Sequence, residues 1–436
     1  MIGIKLVIII EIIVYLLLLV IAINKQKFIT YTQFFVFAWI LYNAIAPLSL
    51  DAKNTTEIHL YYCYAVAIAL PVFAIVSILF PYRVESNIFL YLSLATWSRL
   101  VNRCKLNSVY RRETFLNLLN TIYVGYLVGL NLTISGYTFG SYGSKEVGLE
   151  TATFLVSFAT YGALFVSTIT LFSRLSIPKY PITLALILSI HFILQGNRNI
   201  ALPFLFLIGF RFYLWSFFSP SRFMNSKIFR LLLLMLIPIT FLFFQVWSFL
   251  RNFPPELIIS KLLQPEASQF LLPQTGELST PMNTFLIYLA NQQSSAYLNY
   301  PFLDSYFIFP LQKIFGRFLD MTSTGPAIIF SQLHATGTEG LGFSPMLETH
   351  LNFGSLLWIL LLPIYLYTVS FMHKFYLLIF SKSAVFFPFG LYLTINLQRI
   401  DFATVVVFFF VFCVASGVTL IFTRLFASFF LILSNP

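Results

Sequence analysis

Charge is what this sequence has least of. Asp, Glu, Lys and Arg together make up 9% of its 436 residues, whereas apolar side chains make up 59% and aromatic rings alone 19%. Mean hydropathy is +0.86. A soluble domain could not keep that much apolar surface from water, so a water-soluble fold is excluded and an all-α polytopic membrane protein is predicted. Cysteine is equally scarce. Cys63, Cys104 and Cys413 show no Cys-x-x-Cys spacing, which excludes a disulfide framework and a thiolate zinc site. There is no Asp-x-Asp pair, no HExxH, no P-loop and no Rossmann glycine fingerprint. Nucleotide-driven chemistry is therefore not expected, and no metal or cofactor is assigned.

The formal charge of +11 is the one imbalance. Its basic residues are dispersed over short connections between apolar runs, not gathered on one soluble face, so no nucleic-acid partner is expected. Their arrangement reads as topology. Runs near the length of a bilayer crossing lie at 5–23, 31–48, 58–80, 114–133, 151–172, 181–195, 200–217, 231–249, 351–372, 384–398 and 402–422, which predicts about eleven transmembrane helices. With the N-terminus outside, sixteen of the 26 Lys and Arg fall in inward segments and nine in outward ones. The remaining one, Arg211, sits inside a span near its inner end, where it can snorkel. This bias sets an N-out, C-in orientation. The first run lacks a basic leader and a small-residue cleavage site, so it reads as a retained span. The apolar stretch 87–100 is too short to cross and reads as interfacial or re-entrant.

The chain thus divides into a bundle of about eight helices over 1–250, an outward loop with amphipathic helices over 251–350, and about three helices over 351–436. A transporter mostly moves its helices and needs only short connections. An insert as long as 251–350 suits chemistry at the membrane surface, where a site must be shaped by folded material outside the bilayer. Pro254, Pro255, Pro265, Pro273 and Pro281 predict a rigid irregular start to this insert. Half-spans could lie at 281–291 and 303–319. The aromatics from Tyr288 to Phe309 suit a surface helix at the headgroup level.

Outward ionisable residues are the candidates for chemistry, because charge near a bilayer is costly and usually has a partner. Arg198 lies in the turn Gln195-Gly196-Asn197-Arg198-Asn199. It is either an interfacial arginine capping helix ends or a phosphate ligand, for which the planar guanidinium fork is well suited. Arg251 ends the eighth run, Arg317 sits in the aromatic segment Phe315-Gly316-Arg317-Phe318, and Arg399 lies in the turn Gln398-Arg399-Ile400-Asp401. Together the four suggest a site for a polyanionic headgroup such as a pyrophosphate. Glu348 and His350 open the ninth run and are candidates for a general base. The alternative for Glu348 is simple electrostatic placement at a helix N-terminus. His334 is a weaker candidate, His59 reads as a helix-end residue, and His373 falls on the inner side.

In these features the chain resembles the Wzy O-antigen (oligosaccharide repeat-unit) polymerases of bacterial inner membranes. Gly196-Asn197-Arg198-Asn199 resembles that family's Gly-Ser-Arg-Gly turn, with both flanking small residues changed to asparagine. Arg198 and Gly209 match an arginine-to-glycine spacing of its periplasmic loops, although Gly209 falls inside the next span. Glu348 to Gly354 resembles the Glu/His-rich opening of the helix after the large loop, and His350 corresponds to a histidine of the related O-antigen ligases. Arg251 occupies the position of an arginine that closes the helix before that loop. The resemblance implies a GT-C-like glycosyltransferase fold with a cavity at the periplasmic face of the inner membrane, working in lipopolysaccharide biosynthesis. Its substrates would be two undecaprenyl-pyrophosphate-linked oligosaccharides, with membrane lipids and a chain-length regulator protein as partners. Arg198 and Arg251 with Arg317, and Arg399 beside them, would hold the donor pyrophosphate, and Glu348 or His350 would take the acceptor proton without a metal. An O-antigen flippase and an O-antigen ligase are the alternatives.

Overall fold

A computed structural model describes residues 2–26, 30–48, 56–79, 108–134, 150–172, 178–194, 198–216, 255–264, 279–291, 343–380 and 383–433, with a few isolated positions besides. Among the described residues there are helices and no strands. In chain order they are α1 (Ile2–Gln26), α2 (Tyr31–Trp39), a π-helical turn (Ile40–Ala44), α3 (Ile45–Leu48), α4 (Glu57–Leu79), α5 (Ser108–Ile134), α6 (Glu150–Phe172), α7 (Lys179–Leu194), α8 (Arg198–Ser216), α9 (Pro255–Leu262), α10 (Thr280–Ala290), α11 (Pro345–Phe380), α12 (Ser383–Asn396) and α13 (Phe402–Leu433). Hydrocarbon leaves a backbone no water to bond, so a chain this apolar satisfies its N–H and C=O groups within helices.

Among the described residues five stretches are long and apolar enough to cross a membrane: Ile2–Ile21, Tyr31–Leu48, Glu57–Ser77, Trp358–Phe380 and Phe402–Leu425. The protein is a helical, multi-pass membrane protein. Shorter apolar stretches among the described residues are Val156–Phe172, Lys179–Leu194, Ile200–Phe212 and Val385–Asn396. The expected run 231–249 and the short stretch 87–100 lie outside the described residues, apart from a few isolated positions in the former. Of the prolines that predicted an irregular start to the insert, Pro255 instead opens α9 and Pro281 lies in the first turn of α10, whereas Pro254, Pro265 and Pro273 lie outside the described residues. The first turn of a helix tolerates proline because its N–H groups have no partner within the helix.

The chain forms two compact units. The first holds Met1–Phe89, Pro265–Phe375 and Leu393–Phe409; the second holds Leu90–Gln264, Tyr376–Tyr392 and Phe410–Pro436. In the first, α1 and α2 pack against α4, and α10 packs on α4 and on the π-helical turn. Phe73 of α4 is the hub of this packing, with the rings of Phe35 and Trp39 each 5.3 Å away and edge-on. The entry angle of α2 is set by a capping box: Gln33 N–H donates to Thr30 Oγ1 (3.2 Å) while Thr30 N–H donates to Gln33 Oε1 (3.1 Å). Tyr15 ties α1 to it by donating to the Gln33 carbonyl at 2.7 Å. Lys5 caps the far end, its ammonium donating to the carbonyls of Leu48 and Leu50.

In the second unit α5 packs on α6, α7 on α8, and α6 touches both of the latter. Phe389 and Phe412 stack at 4.0 Å, and Tyr161 meets Phe389 edge-on at 5.2 Å. Arg211 does not snorkel as expected. It is 2% exposed and donates Nε–H to the Leu171 carbonyl at 2.8 Å, so it satisfies an orphan acceptor in the last turn of α6.

Candidate functional site

Helix α11 has 36 residues, and its stretch Trp358–Phe380 is long and apolar enough to cross a membrane. A helix of this length is roughly 54 Å long against a hydrocarbon core of about 30 Å, so it extends beyond that core. Glu348 and His350 sit in its first two turns. The local sequence explains why a helix starts there: Ser344 Oγ accepts from Leu347 N–H at 3.2 Å, and Pro345 takes the first helical position.

Two hydrogen bonds bring the turn 397–401 to the start of α11. Phe343 N–H donates to the Arg399 carbonyl at 2.7 Å. The N–H of Phe402, which opens α13, donates to both oxygens of Glu348, at 3.1 and 3.2 Å. Glu348 is 1% exposed and also shares a side-chain hydrogen bond with Tyr365. Its burial at a helix N-terminus is compensated by the orphan N–H and by the positive end of the helix dipole. The helix in question is α13, not the α11 on which Glu348 resides. Asp401 caps the same end, with Oδ1 accepting from Thr404 N–H (2.8 Å) and Oδ2 from Thr404 Oγ1 (3.0 Å). Arg399, half-buried, lies with its guanidinium 5.9 Å from the ring centroid of Tyr42 in the π-helical turn. Turns of this kind recur at functional sites.

His350 stands in a different setting. Its Nδ1 lies 2.9 Å from the Met346 carbonyl and its Nε2 3.3 Å from the Tyr61 hydroxyl. A carbonyl only accepts, so the ring proton belongs on Nδ1 and Nε2 presents its lone pair to Tyr61. Aromatic rings enclose the imidazole: Phe285 edge-on at 4.8 Å, Trp358 at 4.3 Å, Tyr61 at 6.2 Å and Tyr288 at 6.5 Å. Burial among them pushes the His350 imidazole down to about 4, with the Met346 bond opposing only weakly. At neutral pH the ring is uncharged. Burial, and then the neighbouring Tyr61, push the Tyr288 phenol up, so it stays protonated and able to donate.

Of the residues expected from sequence, Glu348, His350 and Arg399 lie together in the first unit. Arg198 is the first residue of α8 in the second unit. Its side chain lies outside the described residues, as do Arg251, Arg317 and His334. A Cβ at Gly209 would meet nothing within 4 Å, so packing does not require glycine there. His59 is a helix-end residue as expected: its Nδ1 lies 2.6 Å from Thr56 Oγ1 and accepts from Thr56 N–H at 3.3 Å at the start of α4. His373 is fully buried against the Tyr31 ring. Among the described residues no three His, Cys, Asp or Glu side chains are grouped to hold a metal. The sequence does not single out Tyr61 or Phe285, and it marks Tyr288 only as one of the aromatics that suit a surface helix. Compared with known proteins, the chain matches no family model, no curated sequence and no solved structure.

Proposed function

We propose that this chain is a membrane glycosyltransferase of the O-antigen polymerase kind, built on about eleven spans in a GT-C-like arrangement. It joins oligosaccharide repeat units carried on undecaprenyl pyrophosphate at the periplasmic face of the inner membrane. The observation that carries this reading is the joining of residues far apart in sequence at one end of the first unit. The start of α11, with Glu348 and His350, is bonded to the turn that carries Arg399. A donor that leaves as a lipid pyrophosphate needs cationic, planar donors near its oxygens and a neutral base near the attacking hydroxyl. Arg399 fits the first role, for which the sequence also offers Arg198, Arg251 and Arg317. His350 fits the second, because Glu348 already spends both oxygens on the Phe402 N–H. A bound pyrophosphate would bring negative charge, and such charge nearby raises the proton affinity of an imidazole during the reaction.

The test is genetic and biochemical. The chain is deleted from its own bacterium and restored as wild type, Arg399→Ala or His350→Gln, and the surface polysaccharide is run on a gel. The expected result is a ladder with wild type, and core bearing a single repeat unit with either variant at normal protein level. Bare core in the deletion strain overturns the polymerase reading. Repeat units then accumulating on undecaprenyl pyrophosphate at the periplasmic face would make the chain a ligase, and accumulation at the cytoplasmic face a flippase.

A further inference from the structure

His350 is 2% exposed, so a hydroxyl on a bulky acceptor sugar cannot reach its Nε2 directly. What stands between them is Tyr61. Its hydroxyl lies 3.3 Å from Nε2, while the residue as a whole is 39% exposed. It belongs to the second turn of α4, which begins at Glu57, at the polar end of that span. Tyrosine at such a boundary keeps its ring in apolar packing and its hydroxyl toward water. Of the other rings around His350, Phe285 is fully buried and carries no hydroxyl, Trp358 is 5% exposed with a donor-only indole, and the Tyr288 ring lies farthest away, at 6.5 Å.

We infer that Tyr61 is the residue that meets the acceptor, relaying the proton of its attacking hydroxyl to His350 Nε2. The inference rests on the glycosyltransferase reading and adds to it a catalytic residue on α4. In the step, the acceptor oxygen forms a bond to the anomeric carbon of the donor chain. The bond from that carbon to the pyrophosphate oxygen breaks, and its electron pair leaves with the lipid pyrophosphate. As the acceptor hydroxyl loses its proton to the Tyr61 oxygen, Tyr61 passes its own proton to His350 Nε2. The product is an imidazolium with Nδ1–H on the Met346 carbonyl and Nε2–H on Tyr61. Return of that proton through Tyr61 to water or to the departing pyrophosphate resets the site. The tautomer required before the step is the one that the Met346 carbonyl dictates. The tight aromatic packing holds the imidazole plane still, so the relay costs little reorganisation.

The experiment uses the full-length protein in proteoliposomes with undecaprenyl-pyrophosphate-linked repeat units as donor and acceptor. Wild type, Tyr61→Phe, Tyr61→Ala and His350→Gln are compared for kcat, KM, the pH–rate profile and thermal stability. Tyr61→Phe keeps the ring and loses only the hydroxyl. Its kcat is expected to fall about 10²–10⁴-fold, the range of a lost acid–base group, with KM for the lipid-linked substrate and Tm close to wild type. The acid limb of the pH–rate profile is expected to move, because His350 loses the partner at Nε2. Phenol added to Tyr61→Ala is expected to raise its rate, whereas benzene, which fills the same space without a hydroxyl, is not. Polymer formed equally by wild type and Tyr61→Phe overturns the relay and leaves the glycosyltransferase reading intact. A loss in Tyr61→Ala that benzene restores as well as phenol makes Tyr61 a packing residue and likewise overturns the relay alone. No polymer from folded, substrate-binding wild type overturns the reading itself and the relay with it.

Discussion

Glu348 holds the first N–H of α13, that of Phe402, between its two carboxylate oxygens at 3.1 and 3.2 Å. The pair separates two jobs that sequence left joined in Glu348 and His350. Glu348→Ala would leave a buried N–H without an acceptor, a loss of about 1–3 kcal/mol. Glu348→Gln keeps an oxygen in place. Thermal unfolding in detergent should therefore show a clear drop in Tm for Ala and a small one for Gln, with the Gln protein still making polymer. A Gln protein of normal Tm that makes none would return Glu348 to the role of general base.

The imidazole of His350 gives the first unit an acid sensitivity with a defined sign. In the unfolded chain a histidine binds its proton near 6.5, whereas folded His350 resists until about 4. Between these values the unfolded state carries more protons, so acid favours unfolding. The contribution is complete above about 6.5 and is lost as pH falls toward 4, at up to about 1.4 kcal/mol per pH unit. Melting curves from pH 7.5 to 4 should fall more steeply for wild type than for His350→Gln, which has nothing to titrate. Parallel slopes would show that the ring is already accessible to solvent in the folded state.

Helix positions were legible because hydrocarbon demands long apolar runs: 31–48 and 151–172 lie within a residue of their observed bounds. The end of the span, however, is not the end of the helix. The run expected at 351–372 extends to Pro345–Phe380, because Ser344 and Pro345 start a helix beyond the apolar window. The segment 281–291, expected as a half-span, corresponds to α10. Arg211 was misjudged because its alternative to water, the Leu171 carbonyl, comes from a segment forty residues away. Tyr61 carried no mark either. In a chain that is 19% aromatic, one tyrosine in the run Tyr61-Tyr62-Cys63-Tyr64 is indistinguishable from its neighbours. Its pairing with His350 spans 289 positions and exists only in the fold.

Asn120 and Ser167 form a reciprocal pair between α5 and α6, both fully buried. Asn120 Nδ2 donates to Ser167 Oγ at 3.0 Å, and Ser167 Oγ lies 3.2 Å from Asn120 Oδ1. In a membrane the helices gain little from apolar contact with each other, so such bonds help to hold them, though each contributes only about 0.6–1.7 kcal/mol. A double-mutant cycle with Asn120→Ala and Ser167→Ala, read by unfolding in mixed micelles, should give a coupling energy in that range. Strict additivity would mean that the two side chains find other partners as easily.

The same interface depends on Gly162. A Cβ there would lie 2.7 Å from the Tyr123 ring, closer than atoms can stand. The ring is not free to swing away, because its hydroxyl is 3.1 Å from Thr419 Oγ1 on α13. Glycine is what lets α5 approach α6 at this point, the usual use of small residues between membrane helices. Gly162→Ala must then push Tyr123 aside and break its bond to Thr419, a penalty of about 1–3 kcal/mol for overpacking, set against the helix propensity of about 1 kcal/mol that alanine gains over glycine. The net expectation is a lower Tm. Adding Tyr123→Phe to Gly162→Ala should recover little, since the clash involves ring carbons as well as the hydroxyl. Adding Tyr123→Leu, which removes the ring, should restore most of the loss. Recovery with Phe equal to that with Leu would place the strain on the hydroxyl alone, and an unchanged Tm for Gly162→Ala would mean that the α5–α6 contact is loose enough to take a methyl group.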